Sequence, residues 1–337
     1  MTSVPSSNWQ VADAGLQHIA GIRQLFKSVF GQEMSDAHWQ WKYGDGRGLG
    51  VVVLQNDEVV AFFGGTERRV LFNGEPLVAM QCGDSMVAPS HRGILTRKGP
   101  FYLSVTAFLG QYVGEGLPYL LSYGFPNARA MRLAQRLELY DDVGAMLEVD
   151  WRPVAASGLV AQAFDFGDAG HRHLADELWR HMASEFLDRA IGIRDLAYLK
   201  QRFYDNPTLD YNFHLVAIPA DGPVQTPHRP DPAIDAENVL GLLVTRRTDE
   251  GLLLVDMVGA TANLAQLIHY ARQLASQMGC RKLYGWLTER DLPLVGATDP
   301  IIEKPPLRLP LGVYSPGLSA DDVRDRWFFL CGDSDFL

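Results

Sequence analysis

Three strand-like segments separated by very short turns constrain this chain more than any other feature. Val51–Leu54, Val59–Arg69 and Leu77–Val87 are rich in β-branched and aromatic residues. Asn56-Asp57 and Asn73-Gly74 separate them, and these residue types tolerate the positive φ that tight hairpin turns demand. The segments therefore read as an antiparallel meander, in which sequence neighbours are sheet neighbours. Such a sheet needs its faces covered. A short strand near Trp9 is followed by residues 14–30, where Leu16, Ile19, Ile22, Leu25, Phe26 and Val29 recur at helical spacing. Ser35 or Asp36 caps a second short helix through Trp41. The stretch Gly44–Gly50 has no following GK[ST], so it reads as punctuation before a strand and not as a phosphate loop.

Downstream of the meander the pattern is helix (101–115), buried strand (118–125), helix (127–139) and strand (143–151). Residues 152–162 lack periodicity and read as a linker. The order of elements then starts again: strand near 163–166, helix 171–186, short helix 194–204, strand 213–218, a proline-rich loop 219–237, strands 239–246 and 252–258, helix 264–278, and strand 282–287. Two domains, 1–152 and 160–337, suit a chain of 337 residues. No sequence period links the halves.

Composition narrows the function classes. A net charge of -10 argues against a broad nucleic-acid-binding face, which needs clustered Lys and Arg. Cys82, Cys280 and Cys331 are isolated from one another and form no CxxC or Cys/His spacing, which suits a reduced, cytoplasmic protein with no metal site. Residues 1–7 lack the pattern of a signal peptide, and no apolar stretch is long enough to span a bilayer. His171, His173 and His181 lack the i, i+4 spacing of a helical metal site and read as a solvated face.

Within this acidic chain, Met86–Phe101 (MVAPSHRGILTRKGPF) is a basic island. A strand ends at Pro89. A loop holding Arg92, Gly93, Arg97, Lys98 and Gly99 then feeds a helix beginning near Pro100 and Phe101. Glycines let the backbone approach an anion, and free amides at a helix start face it. The pattern suits a pyrophosphate, or else an ordinary solvated loop. His91 either contacts phosphate or lies on the loop surface.

This segment, with LLSYGFPNARAMRLAQRL after it, resembles the GNAT superfamily of N-acetyltransferases over about residues 9–151. Val87 and Pro89 match the family's V-x-P strand end, Arg92 and Gly93 its RG pair, and Asn127 and Ala130 its N-x-x-A helix start. The resemblance implies an α/β fold of two tandem acyl-CoA N-acyltransferase-like domains, with mixed, mainly antiparallel sheets flanked by helices. It implies acetyl-CoA or another acyl-CoA as cofactor. The pantetheine arm would pair with the backbone of Met86 and Val87, where parallel strands splay apart. Arg92, Gly93, Arg97, Lys98, Gly99, Pro100, Phe101 and Asn127 would stand around the cofactor.

Two departures from the family pattern matter. The usual R/Q-x-x-G-x-G/A is replaced by glycines separated by ILTRK, and Ala134 stands where the family often has the Tyr that protonates the departing thiolate. Tyr123 or Tyr140 would replace it, or water would. For the general base the candidates are Asp84, which shares a strand face with Met86 and Ala88 or else is a strand-end or bulge residue bonded to backbone, and Glu67, which reads otherwise as a solvated edge charge. Cys82 reads as a buried, inert thiol. Trp39, Trp41 and Tyr43 either line an acceptor pocket or pack the core.

The second half follows the family in outline only. GATANLAQLIHYARQL opens a helix without an Arg/Gly loop, so this copy is expected to have lost cofactor binding. The aromatic and acidic end, WFFLCGDSDFL, reads as a tail packing back onto the body, with Asp333 and Asp335 either binding a cationic amino group or lying on an ordinary exposed terminus. The function expected is N-acetyl transfer to a small amine or amino sugar by direct attack on the thioester. The alternatives are a noncatalytic CoA- or ligand-binding protein and an O-acyltransferase of a sugar. The partner expected is a small-molecule acceptor, with no nucleic acid and no membrane; the oligomeric state is not encoded in any pattern.

Overall fold

A computed structural model describes residues 9–219 and 236–334. Its contacts divide the chain into two units. The first takes the chain through Arg69, then Val78–Val143 and Arg308–Arg324. The second takes Val70–Leu77, Gly144–Leu307 and the chain from Asp325 onward. The linker expected at 152–162 thus lies inside the second unit, and each unit draws on segments far apart in sequence.

In the first unit, β1 (Gln10–Asp13) pairs antiparallel with β2 (Gly48–Gln55) and β2 with β3 (Glu58–Phe72), with Val52 opposite Phe62. β4 (Glu75–Val87) follows, and β5 (Ser122–Gly124) lies parallel to it. The meander forms because its turns can: Asn56, Asp57, Asn73 and Gly74 all hold positive φ, between 50° and 79°. Alternation sorts the side chains by face. Val51 and Phe63 pack with α3 (Pro100–Tyr112) and α4 (Ala128–Arg136), whereas Val52 and Phe62 pack with α1 (Ile19–Phe30) and α2 (Asp36–Tyr43). Helix α1 starts five residues later than its periodicity suggests, because Leu16–His18 is a separate 3-10 turn.

β6 (Tyr140–Trp151) begins in the first unit, and its residues from Gly144 on belong to the second. The second unit adds β7 (Val160–Ala163), α5 (Ala169–Ser184), β8 (Ala190–Gly192), α6 (Leu196–Leu199), β9 (Asn212–Ala217), β10 (Val239–Arg247), β11 (Leu252–Val258), α7 (Leu264–Gln277) and β12 (Leu283–Thr288). β13 (Leu307–Gly312) and β14 (Trp327–Phe328) come last. The second sheet runs β13-β6-β12-β11-β10-β9-β7. β7 with β9, β9 with β10 and β10 with β11 are antiparallel, β11 and β12 parallel, and β12 and β6 antiparallel. β8 pairs with Val70–Phe72 of β3 and, on its other side, with β14. Both sheets have seven strands and are mixed, so the expected α/β architecture of two sheets flanked by helices is present.

Candidate functional site

β4 and β5 form a fork. They pair in parallel at only three positions, Met80 with Ser122, Gln81 with Tyr123 and Cys82 with Gly124. Beyond Cys82, β4 runs on to Val87 without β5 beside it. Gly124 closes the last rung for a steric reason: a Cβ there would lie 2.9 Å from the Cys82 carbonyl.

Asp84 sits two residues beyond that rung, with φ +49°. Asp is among the few residues that accept this left-handed conformation at modest strain. The conformation breaks the strand's alternation. Met80 and Cys82 pack on the α3/α4 face, while Met86, of the same parity, packs on the α1/α2 face. Asp84 turns to the α1/α2 face as well, where the Tyr43 hydroxyl donates to its Oδ2 (2.6 Å) and Lys42 Nζ lies 3.0 Å from the same oxygen. The carboxylate and the ammonium are each about 10% exposed. Asp84 and Met86 thus share a face, as the pattern predicts. Lys42, which was not among the expected site residues, lies beside them.

Tyr43 also connects Asp84 to a pocket of about 140 Å3. Its walls include Leu16, Trp39, Tyr43 and Phe62, with Gly48 and Gly50 of β2 between the rings. These glycines are structural parts of the pocket: a Cβ at either would run into the Tyr43 or Phe62 ring. The glycine-rich stretch expected to be mere punctuation therefore shapes a cavity. Trp39 stacks on Tyr43 (4.6 Å between centroids), but Trp41 lies outside the pocket and meets His38 edge-on.

The basic loop after β4 is ordered by its own contacts. Arg92 Nε donates to the Val87 carbonyl (3.1 Å), tying the loop to the strand end. Arg97 is engaged by Glu138 at the surface, while Lys98 is exposed. His91 is held by Ser90 and Gln55, so it is part of the loop's framework. Gly99 precedes α3, with Pro100 at the first helical position and no capping side chain. A Cβ on Gly99 would collide with the Ile94 carbonyl. Helix α3 therefore starts without a side-chain cap, directly after a loop that carries Arg92, Lys98 and Gly99. This donor set fits an anionic pyrophosphate.

The remaining expected residues have settled roles. Asn127 caps α4, accepting from the amides of Arg129 and Ala130. Tyr123 is buried, and its hydroxyl donates to Gln81 (3.1 Å). Tyr140 packs beside Cys82 at the fork, and loss of hydration drives its hydroxyl well above the usual tyrosine range. Glu67 accepts from Tyr119 (2.6 Å). Gly93 has open space around it. In the second unit, Asp333 is buried against Arg194, which corrects both alternatives for it, an exposed terminus and a site for an external amine; Asp335 lies outside the described residues. His173 pairs with Glu177, and no metal-ligating cluster occurs among the described residues. No helix of the described residues is long and apolar enough to cross a membrane.

Residues 11–126 match the model of the acetyltransferase (GNAT) domain. The fold is similar to that of a probable N-acyltransferase from Enterococcus faecalis (12% identity, 91% of this chain and 72% of that one, TM-score 0.63). It is similar to a GCN5-related N-acetyltransferase from Anabaena variabilis (14% identity, 91% and 73% covered, TM-score 0.62). It also resembles Saccharomyces cerevisiae N-myristoyltransferase with bound myristoyl-CoA (11% identity, 96% and 85% covered, TM-score 0.56). At these identities the likeness is one of fold. No curated protein matches the chain.

Proposed function

Starting from a chain with the GNAT fold and a GNAT acetyltransferase domain over residues 11–126, we propose that the first unit transfers an acyl group from an acyl-CoA to a small amine. The observation that carries this reading is Tyr43: its ring walls the pocket and its hydroxyl is 2.6 Å from Asp84. An acceptor seated in the pocket would therefore be separated from the carboxylate at the fork by the Tyr43 side chain alone.

Acyl-CoA supplies an activated thioester, and Arg92, Lys98, Gly99 and the first amides of α3 suit its pyrophosphate. The backbone of Met86 and Val87 is the edge along which its pantetheine arm would lie. Asp84 takes the proton that an ammonium must lose before it can attack. Lys42 and Tyr43 hold the carboxylate in place. Strand amides polarise the thioester carbonyl as negative charge develops there. Tyr140 is the acid that returns a proton to the thiolate in this reading, because the Tyr123 hydroxyl already donates to Gln81. The acetyl group is the smallest donor compatible with the reading, and a small amine or amino sugar suits a pocket of about 140 Å3. Ala134, fully buried in α4 where a tyrosine acid is expected, supports the second reading, a binding module without turnover.

Melting curves with CoA, together with thiol release from acetyl-CoA across a panel of amines, test both readings. Binding at a hundredfold excess over Kd raises stability by about 2.7 kcal/mol. Asp84→Asn is expected to keep that shift and to lose about 100- to 10,000-fold in turnover. Absence of any shift sinks the cofactor site. A shift without thiol release from any amine leaves the binding module standing, and full turnover by Asp84→Asn removes the base.

A further inference from the structure

The second unit contains the same fork. β11 and β12 pair in parallel at three positions, Leu252 with Leu283, Leu253 with Tyr284 and Leu254 with Gly285. A Tyr–Gly pair ends the parallel pairing in both, although β12 runs on to Thr288 along β6 whereas β5 stops at Gly124. An acid again stands two residues beyond the last rung: Asp256 corresponds to Asp84. It again meets a tyrosine hydroxyl, Tyr198 (3.2 Å), and a cation, Arg194 Nε (2.9 Å).

What differs is the gap beyond the fork. In the second unit it holds the chain itself. Leu330 bridges to Leu287 of β12, and Phe329 exchanges hydrogen bonds with Thr288: its amide donates to Thr288 Oγ1 (2.6 Å), and its carbonyl accepts from the Thr288 amide (3.2 Å). Gly332 then crosses to β11, so close that a Cβ on it would stand 2.8 Å from the Phe203 ring, 3.0 Å from the Asp256 carboxylate and 3.2 Å from the Val255 carbonyl. Asp333 reaches Arg194, completing an acid–cation–acid cluster that is fully buried.

The anion end is occupied too. Residues 259–263 (GATAN), which follow β11, contain no Lys or Arg. The Thr261 amide at the start of the next helix donates to a carboxylate of the same unit, Glu185 Oε2, at 2.7 Å.

We infer that the second unit is a self-liganded acyl-CoA cleft: residues 329–333 stand where a pantetheine arm would lie, Glu185 stands where a pyrophosphate would, and the chain consequently takes one acyl-CoA and not two. The count rests on the function proposed for the first unit; the seating of the segment does not.

Amide hydrogen exchange on the full chain tests the seating. Peptides covering 329–334 are expected to exchange at least about 100-fold more slowly than a free peptide of that sequence, and exchange at the free-peptide rate overturns the proposal. Gly332→Val is expected to speed exchange in 329–334 at least about tenfold, whether or not the loss spreads into β11 and β12, while β2 and β3 keep their protection. Unchanged protection of 329–334 in that variant overturns the proposal. Calorimetric titration of the wild-type chain with CoA should give one site per chain. Two sites overturn the inference. No binding counts against the function proposed for the first unit, and the exchange result then decides the seating by itself.

Discussion

The two forks hold nearly the same parts and differ in what completes them. In the first, Asp84 is joined by Lys42 and Tyr43 beside a pocket and a basic loop. In the second, Asp256 is joined by Arg194 and Tyr198, and Asp333 and Glu185 supply the anions from within the chain. The contrast separates what a fork needs for architecture from what it needs for chemistry. A short parallel pair ended by glycine, an acid beyond it and a tyrosine on the acid are common to both, so they are compatible with a purely structural role. The basic loop, Gly99 and the glycine-lined pocket belong to the first fork alone. The functional reading rests on what Tyr43 adds to the shared parts: its ring walls that pocket while its hydroxyl holds Asp84.

The comparison can be broken most forcefully at Arg194. Arg194→Leu removes the cation that joins two buried carboxylates, and burial already holds the Asp256 carboxyl above the ordinary range. A loss of about 3–5 kcal/mol in unfolding free energy is expected by denaturant titration. Lys42→Met in the first fork should cost much less stability, because Asp84 keeps the Tyr43 hydroxyl and some solvent. Equal losses would mean that both forks are structural. A smaller effect separates the anion ends. Lys98→Met is expected to weaken CoA about tenfold, in line with about 1.5 kcal/mol for a hydrogen bond to a charged group, while Glu185→Gln leaves CoA affinity unchanged; calorimetry reads both. The smallest effect concerns the second unit's response to acid. Burial lowers the His214 pKa below 6.5, so the folded state holds fewer protons on this side chain than the unfolded state does. Its contribution to stability is complete above the unfolded pKa and declines as pH falls from 6.5 through the lowered folded value. His214→Leu should flatten that part of the pH–stability curve, and an unchanged slope would assign the acid response to other groups.

Much of this was legible in local sequence. Long runs of β-branched residues joined by Asn-Asp and Asn-Gly turns report their own pairing, so β2, β3 and β4 fell within a few residues of their expected spans, and β11 on its expected span. Apart from β1, found beside the expected Trp9, the short strands were poorly legible. β5 has three residues instead of the eight its apolar run suggests, and β8, β13 and β14 went unseen, because strands this short are defined by their partners and not by their own composition. Asp84 was visible as an acid on the right face. Its left-handed backbone was not, since φ depends on the sheet around it. Lys42 and Tyr43 are over 40 residues from Asp84, and Arg194 is 139 residues from Asp333. No local pattern announces pairings at such range. Gly48 and Gly50 did leave a signal, alternate glycines entering a strand near an aromatic helix, which can be recognised as room made for rings.

The buried segment at 329–333 also sets a schedule for synthesis. The second unit takes Val70–Leu77 from early in the chain, most of its sheet from the middle and its fork filling from beyond residue 325. While the ribosome is still adding residues 260–320, Arg194 and Asp256 are already made but Asp333 does not yet exist. Contacts of such long sequence separation form slowly, and an unfinished core exposes apolar surface during the wait. The first unit's central strands are complete by Gly124, so its forked cleft is available to be built long before its counterpart can close.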